Sequence, residues 1–240
     1  VNGITTTIAL SGQTATVQSF SAQLNSGGTI GISGSIGLSA PFQSDLSIQV
    51  VEGRYTDGEL LATVLDAQLT LTGPLTATPT LGGTINAREI NVTVPDNLPT
   101  SFQRLGVRHV NAPPAVLRQQ AEINPDQGET GSQAGGINLD LTLNAPARVF
   151  VRGRGIDMEL GGSIRITGPA SNLSIVGAFD LQRGRFQILS RRLDFQRASL
   201  SFTGNLIPTL DVLATSQAGE VTVSIAITGP ANDPSFAFSS

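Results

Sequence analysis

Residues Leu173–Phe238, LSIVGAFDLQRGRFQILSRRLDFQRASLSFTGNLIPTLDVLATSQAGEVTVSIAITGPANDPSFAF, decide the fold. Apolar residues fall on alternate positions: Leu173, Ile175, Phe179 and Leu181, then Phe186 and Ile188, Leu193 and Phe195, Leu200 and Phe202. After Pro208 come Leu210 and Val212, then Val221, Val223, Ile225 and Ile227, and last Phe236 and Phe238. Strand side chains alternate faces with a period of two. The pattern therefore predicts a succession of strands of ordinary length in a sheet with one apolar and one polar face. Nothing in the stretch has the three-and-four spacing of an amphipathic helix.

Working outward, the first ninety residues carry the same rhythm more faintly. Ile30 and Ile32, Ile48 and Val50, Leu69 and Leu71, and Ile90, Val92 and Val94 alternate with Ser, Thr, Gln, Asn or Gly, residues that solvate an outer face with little charge. From Ile137 the alternation is cleaner, through Leu139, Leu141, Leu143, Val149 and Val151; a parity change across Gly153 and Gly155 predicts a bulge or bend before Ile156, Met158 and Leu160. The phrase Thr-Gly-Pro recurs at Thr72–Pro74, Thr167–Pro169 and Thr228–Pro230. Each copy ends a strand in a turn, because proline cannot donate to a ladder. Pro95–Gly136 breaks the rhythm with clustered Pro and Gly and is expected to be an irregular insertion, with a short helix at Ala115–Glu122.

The chain is long enough for one large β domain or two small ones. Apolar residues make up 39% and charged residues 13% of it, with 27 Gly, which suits strands and tight turns rather than a disordered tail. The absence of Cys excludes a disulfide-dense scaffold. No apolar run is long enough for a membrane helix. No leader precedes Val1, which begins in mid-pattern, so a fragment of a longer protein is expected. A net charge of −4 argues against a general nucleic-acid binder, although Arg148–Arg197 is locally basic. His109 is the single His, and with no Cys it offers no metal set. No nucleophile elbow, phosphate loop or zinc signature occurs. Neither enzyme activity nor a cofactor is expected. Asn91-Val-Thr93 and Asn172-Leu-Ser174 match the short glycosylation pattern, which arises often by chance.

About fifteen strands at ~4.8 Å spacing would make a sheet roughly 70 Å across, which must curl, split or close. In a sandwich or barrel, such as that of a secreted adhesin, the apolar face is simply core. In a sheet folded into a trough it stays accessible and calls for a lipid or a partner. Its candidate lining is Ile164, Ile166, Leu173, Ile175, Phe179, Leu181, Phe186, Ile188, Leu193, Phe195, Leu200, Phe202, Leu210, Val212, Val223, Ile225 and Ile227. Arg183, Arg185, Arg191, Arg192 and Arg197 have two readings: an outer face whose charge discourages edge pairing, or a contact for phosphate head groups or an acidic partner. Phe150 shares parity with Arg148 and Arg152 on that side, where Asp157 and Glu159 read as solvating charges.

The run Arg183-Gly-Arg-Phe-Gln-Ile-Leu-Ser-Arg-Arg-Leu-Asp-Phe-Gln-Arg197, continuing to Val212, resembles the C-terminal domain of the TamB family. Val149-Phe-Val-Arg-Gly-Arg-Gly155, Gly161-Gly-Ser-Ile-Arg-Ile-Thr-Gly168 and Asp233-Pro-Ser-Phe-Ala-Phe-Ser-Ser240 are similar to it too. The resemblance implies an all-β fold, a long antiparallel-rich sheet curled into a β-taco (an open half-pipe) with a hydrophobic interior. Residues 1–240 would then be a fragment of one elongated domain with an insertion at about 95–136. It further implies a periplasmic protein of Gram-negative bacteria, anchored in the inner membrane at full length and paired with an Omp85-type outer-membrane barrel (TamA-like) in the translocation and assembly module. Its ligands would be phospholipid acyl chains, and its roles lipid transport and assembly of outer-membrane proteins. A chaperone-like platform pairing its edges with client strands, without lipid conduction, is the competing role. The chain would lack the family's N-terminal anchor and the segment that usually follows its last strand.

Overall fold

The computed structural model describes residues 1–58, 60–94, 136–188, 191–218 and 221–240, with the backbone alone described at Ile188, Arg191, Ala218 and Val221. These residues form thirteen strands and no helix: β1 (Asn2–Ser11), β2 (Thr14–Gln23), β3 (Thr29–Gly37), β4 (Gln43–Thr56), β5 (Leu61–Pro74), β6 (Thr80–Thr93), β7 (Asn138–Gly153), β8 (Ile156–Pro169), β9 (Ser174–Ile188), β10 (Arg191–Thr203), β11 (Thr209–Ala218), β12 (Val221–Pro230) and β13 (Ser235–Ser239). They lie in one open sheet in chain order, with β1 and β13 at its edges. It is neither a sandwich nor a closed barrel. The expected insertion, with its helix at Ala115–Glu122 and His109, lies outside the described residues apart from Gly136.

The strands are fewer and longer than the alternation suggests. The groups Phe179/Leu181 and Phe186/Ile188 belong to one strand, β9, and Leu193/Phe195 and Leu200/Phe202 to one strand, β10. A β-bulge inside each strand flips the parity, so two apolar groups of opposite phase face the same way. Gly153–Gly155, expected to be a bulge or bend, is instead a hairpin turn: Gly153 pairs with Ile156, and Arg154 and Gly155 have φ of 51° and 82°. Positive φ at both central residues gives the turn the twist that adjacent strands need.

Alternating hairpins create two rims. The three Thr-Gly-Pro phrases end β5, β8 and β12 on the same rim, and their glycines share φ of 102°, 103° and 99°. After each, the proline carbonyl accepts from the amide three residues on, Ala77, Asn172 and Asp233, at 3.1, 2.8 and 3.0 Å. One local phrase thus builds one local turn. Every pairing is antiparallel except β6 with β7. The chain therefore leaves β6 at the second rim and enters β7 at the Thr-Gly-Pro rim, which a hairpin cannot do.

From β4 to β10, register shifts mark bulges at corresponding heights along the strands: Val50/Gly53, Arg88/Glu89, Ala145/Val149, Gln182/Arg183 and Phe195/Arg197. Bulges sharpen local bending and twist. Deeply buried residues adjoin this row: Ala67, Ala87, Ala145, Leu160 and Ala198 are exposed by only 3, 8, 0, 1 and 2%. The bulges form a crease, and the crease is the floor of the curled sheet. Alanine predominates there because bending brings neighbouring side chains together on the concave side and leaves no room for larger ones.

Candidate functional site

The apolar face runs across the sheet without a break. One cross-strand row is Phe20, Ile32, Ile48, Leu69, Gly83, Leu141, Ile166 and Ile175, in register from β2 to β9. Four residues further along β9, level with Ala145 at the crease, Phe179 begins a row with Leu200 and Leu210, and Phe195, Ala214, Ile225 and Phe238 form another on the far side of the crease. The outer face between these positions is hydrophilic, as in β4, where Gln43, Asp45, Ser47 and Gln49 are exposed and Ser44 and Leu46 are buried. The Ser44 hydroxyl donates to the Gly73 carbonyl at 2.8 Å, so this buried polar group does not interrupt the apolar surface.

Of the candidate lining, Ile164, Phe179, Leu193, Val212 and Ile225 are buried. Ile166, Leu173, Ile175, Leu181, Phe186, Phe195, Leu200, Phe202, Leu210 and Ile227 are half-buried, and Val223 is exposed. The side chain of Ile188 lies outside the described residues. A sealed core would bury nearly all of these. Here an apolar surface of many strands is pooled yet remains partly open to solvent. Beyond the candidates at Ile164–Ile227, the face also includes Leu46, Ile48, Leu69, Ile85 and Leu141. Their alternation is visible in the sequence. The crease alanines, in contrast, give no hydropathy signal that separates them from filler.

On the convex side, arginines hold the bulges. At the Arg88/Glu89 bulge, Arg88 donates from Nε to Asp66 and from Nη1 to Glu52 at 2.7 Å, and the Glu52 amide donates to Asp66 Oδ1 at 2.9 Å. The Arg88 hydrogen bond, helped by that amide, holds the Asp66 carboxyl below its usual range, and the same bond raises Arg88. Arg183 Nε to Glu159 Oε2 (2.6 Å) and Arg197 Nε to Asp211 Oδ1 (3.0 Å) occupy the bulges of β9 and β10 in the same way.

The candidate arginines therefore divide. Arg183, Arg185 and Arg192 line an outer cleft of about 430 Å³ with Phe150, Arg152, Asp157 and Glu159. Arg197 stands apart on Asp211, and the side chain of Arg191, whose backbone pairs with Ile188, lies outside the described residues. Asp157 and Glu159, read from the sequence as solvating charges, hold guanidiniums: Asp157 pairs with Arg185 at 2.8 Å and Arg152 at 3.6 Å, and the Glu159 side chain is only 12% exposed. Among the described residues no helix is long and apolar enough to cross a membrane.

No curated protein matches the chain. The family model of the TamB C-terminal domain matches residues 18–240, taking in the crease, the apolar face and the arginine cleft. The chain belongs to the TamB family, and residues 18–240 form its C-terminal domain.

Proposed function

We propose that the concave apolar face is a groove for phospholipid acyl chains, and that the chain is a periplasmic segment along which phospholipid moves between the inner and outer membranes. Family membership gives it a role in the translocation and assembly module. The observation that carries the lipid reading is the half-exposed lining, continuous across an open sheet that is not closed into a barrel. Each methylene buried against such a surface contributes about 0.8 kcal/mol whatever the chain length, so lipids of varied tails are held without a catalytic group. Family membership supports an Omp85-type barrel (TamA-like) as partner of the full-length protein, and support for outer-membrane protein assembly as a second output.

The outermost places of β1 and β13 among the described strands favour a second reading, β-augmentation of client strands. The two separate in a vesicle-to-vesicle lipid transfer assay. Ile166→Asp places a charge in the groove and abolishes transfer while leaving edge pairing intact; Ala237→Pro in β13 does the reverse. Undiminished transfer by a folded Ile166→Asp protein overturns the groove.

A further inference from the structure

The outer cleft near the second rim is not part of the groove, and its chemistry is different. Guanidiniums of Arg152, Arg183, Arg185 and Arg192 line it, against the carboxylates of Asp157 and Glu159. Even with Asp194, which pairs with Arg192 at 2.9 Å from outside the lining, one positive charge is uncompensated. We propose that this cleft binds a phosphate ester group.

Three features point to that ligand. First, the guanidiniums are held in place yet not used up. Arg183 and Arg192 each donate through Nε, to Glu159 and Asp194, leaving both terminal nitrogens of each, and Arg185 reaches Asp157 through Nη2. A guanidinium carries five N–H donors in a planar fork, and a fork already oriented by a carboxylate loses less freedom on binding an anion. Second, the Arg152 guanidinium lies over the Phe150 ring at 4.6 Å, which fixes its position over the cleft wall. Third, the donors come from three strands, β7, β9 and β10, gathered around the carboxylates of β8. A tetrahedral phosphate accepts from several directions at once, whereas a planar carboxylate is matched by a single fork. The one-to-one pairs elsewhere on the outer face, Arg165 with Asp140 and Arg197 with Asp211, lie outside this cleft and lack that surplus.

The same phosphate chemistry is offered by a lipid head group and by a soluble phosphate ester, and the test separates them. Side-chain Nε–H resonances of the purified protein are followed during titration with inorganic phosphate, glycerol 3-phosphate and glycerophosphoglycerol, none of which has an acyl chain. Flotation with phosphatidylglycerol vesicles, against phosphatidylcholine alone, forms the second arm. The expected result is a saturable shift of the cleft arginines that weakens with salt. The double variant Arg185→Gln/Arg192→Gln should bind about tenfold more weakly or worse. Arg148→Gln, an exposed arginine outside the cleft, should bind as the parent does. Arg183 is left intact because it holds a bulge. Binding of the glycerophosphodiester with flotation assigns the site to lipid head groups; binding of phosphate or its monoester without flotation assigns it to soluble esters. Equal shifts with chloride at matched ionic strength, equal loss in Arg148→Gln, or no shift at all overturns the proposal. Because the probes carry no tails, that failure leaves the groove reading untouched.

Discussion

Arg88 on β6 donates to Asp66 on β5 on the convex side of the crease, while Ala87, the next residue along, is buried on the concave side. Bend and clamp occupy the same position. The recurrence of Arg–carboxylate pairs at the β9 and β10 bulges assigns these ion pairs a common task, which is to hold the extra residue of each bulge in one conformation.

The Asp66 carboxyl is accordingly expected to titrate below its ordinary value of 3.8. A depressed folded-state pKa contributes stability that is present above the unfolded value and lost as pH falls through the folded one. Asp66→Asn should therefore destabilise the sheet at neutral pH, with the deficit shrinking below about pH 4. Carboxyl carbon titration by NMR checks the first statement and denaturant midpoints at the two pH values the second. A midpoint at or above the ordinary carboxylate value contradicts the clamp.

The alanine floor predicts intolerance of larger residues. Ala145 is fully buried beside the β7 bulge. Ala145→Leu should cost about 1–3 kcal/mol by overpacking, read as a lower denaturation midpoint. The same substitution at exposed Ala147 should cost little.

Gly177 on β9 has φ of 136°, and a side-chain carbon there would sit 2.3 Å from the Ser163 carbonyl oxygen on β8. Gly177→Ala should cost at least about 1–3 kcal/mol, visible as a drop in Tm. Wild-type stability in that variant would show that the β8–β9 pairing is looser than described.

Much of this architecture is legible in the residues. Alternation from Leu173 to Phe238 identifies strands and their apolar face, and Thr-Gly-Pro identifies the turns of one rim. The bulges are not legible as bulges. Phe179/Leu181 and Phe186/Ile188 look like two strands because a parity flip and a turn leave similar traces, and only the partner strand β8, continuous from Ile156 to Pro169, decides between them. The parallel pairing of β6 with β7 is equally hidden, since period-two patterning carries no strand direction. On the outer face, Asp157 and Glu159 look like solvating charges until β9 brings Arg183 and Arg185 beside them.

Native mass spectrometry of the purified chain reads out whether the concave face holds hydrocarbon. Phospholipid should be carried on the folded wild-type protein and lost from folded Ile166→Asp, with Arg148→Gln unchanged. A folded wild-type chain free of lipid, or an Ile166→Asp chain carrying as much as the parent, would contradict the groove.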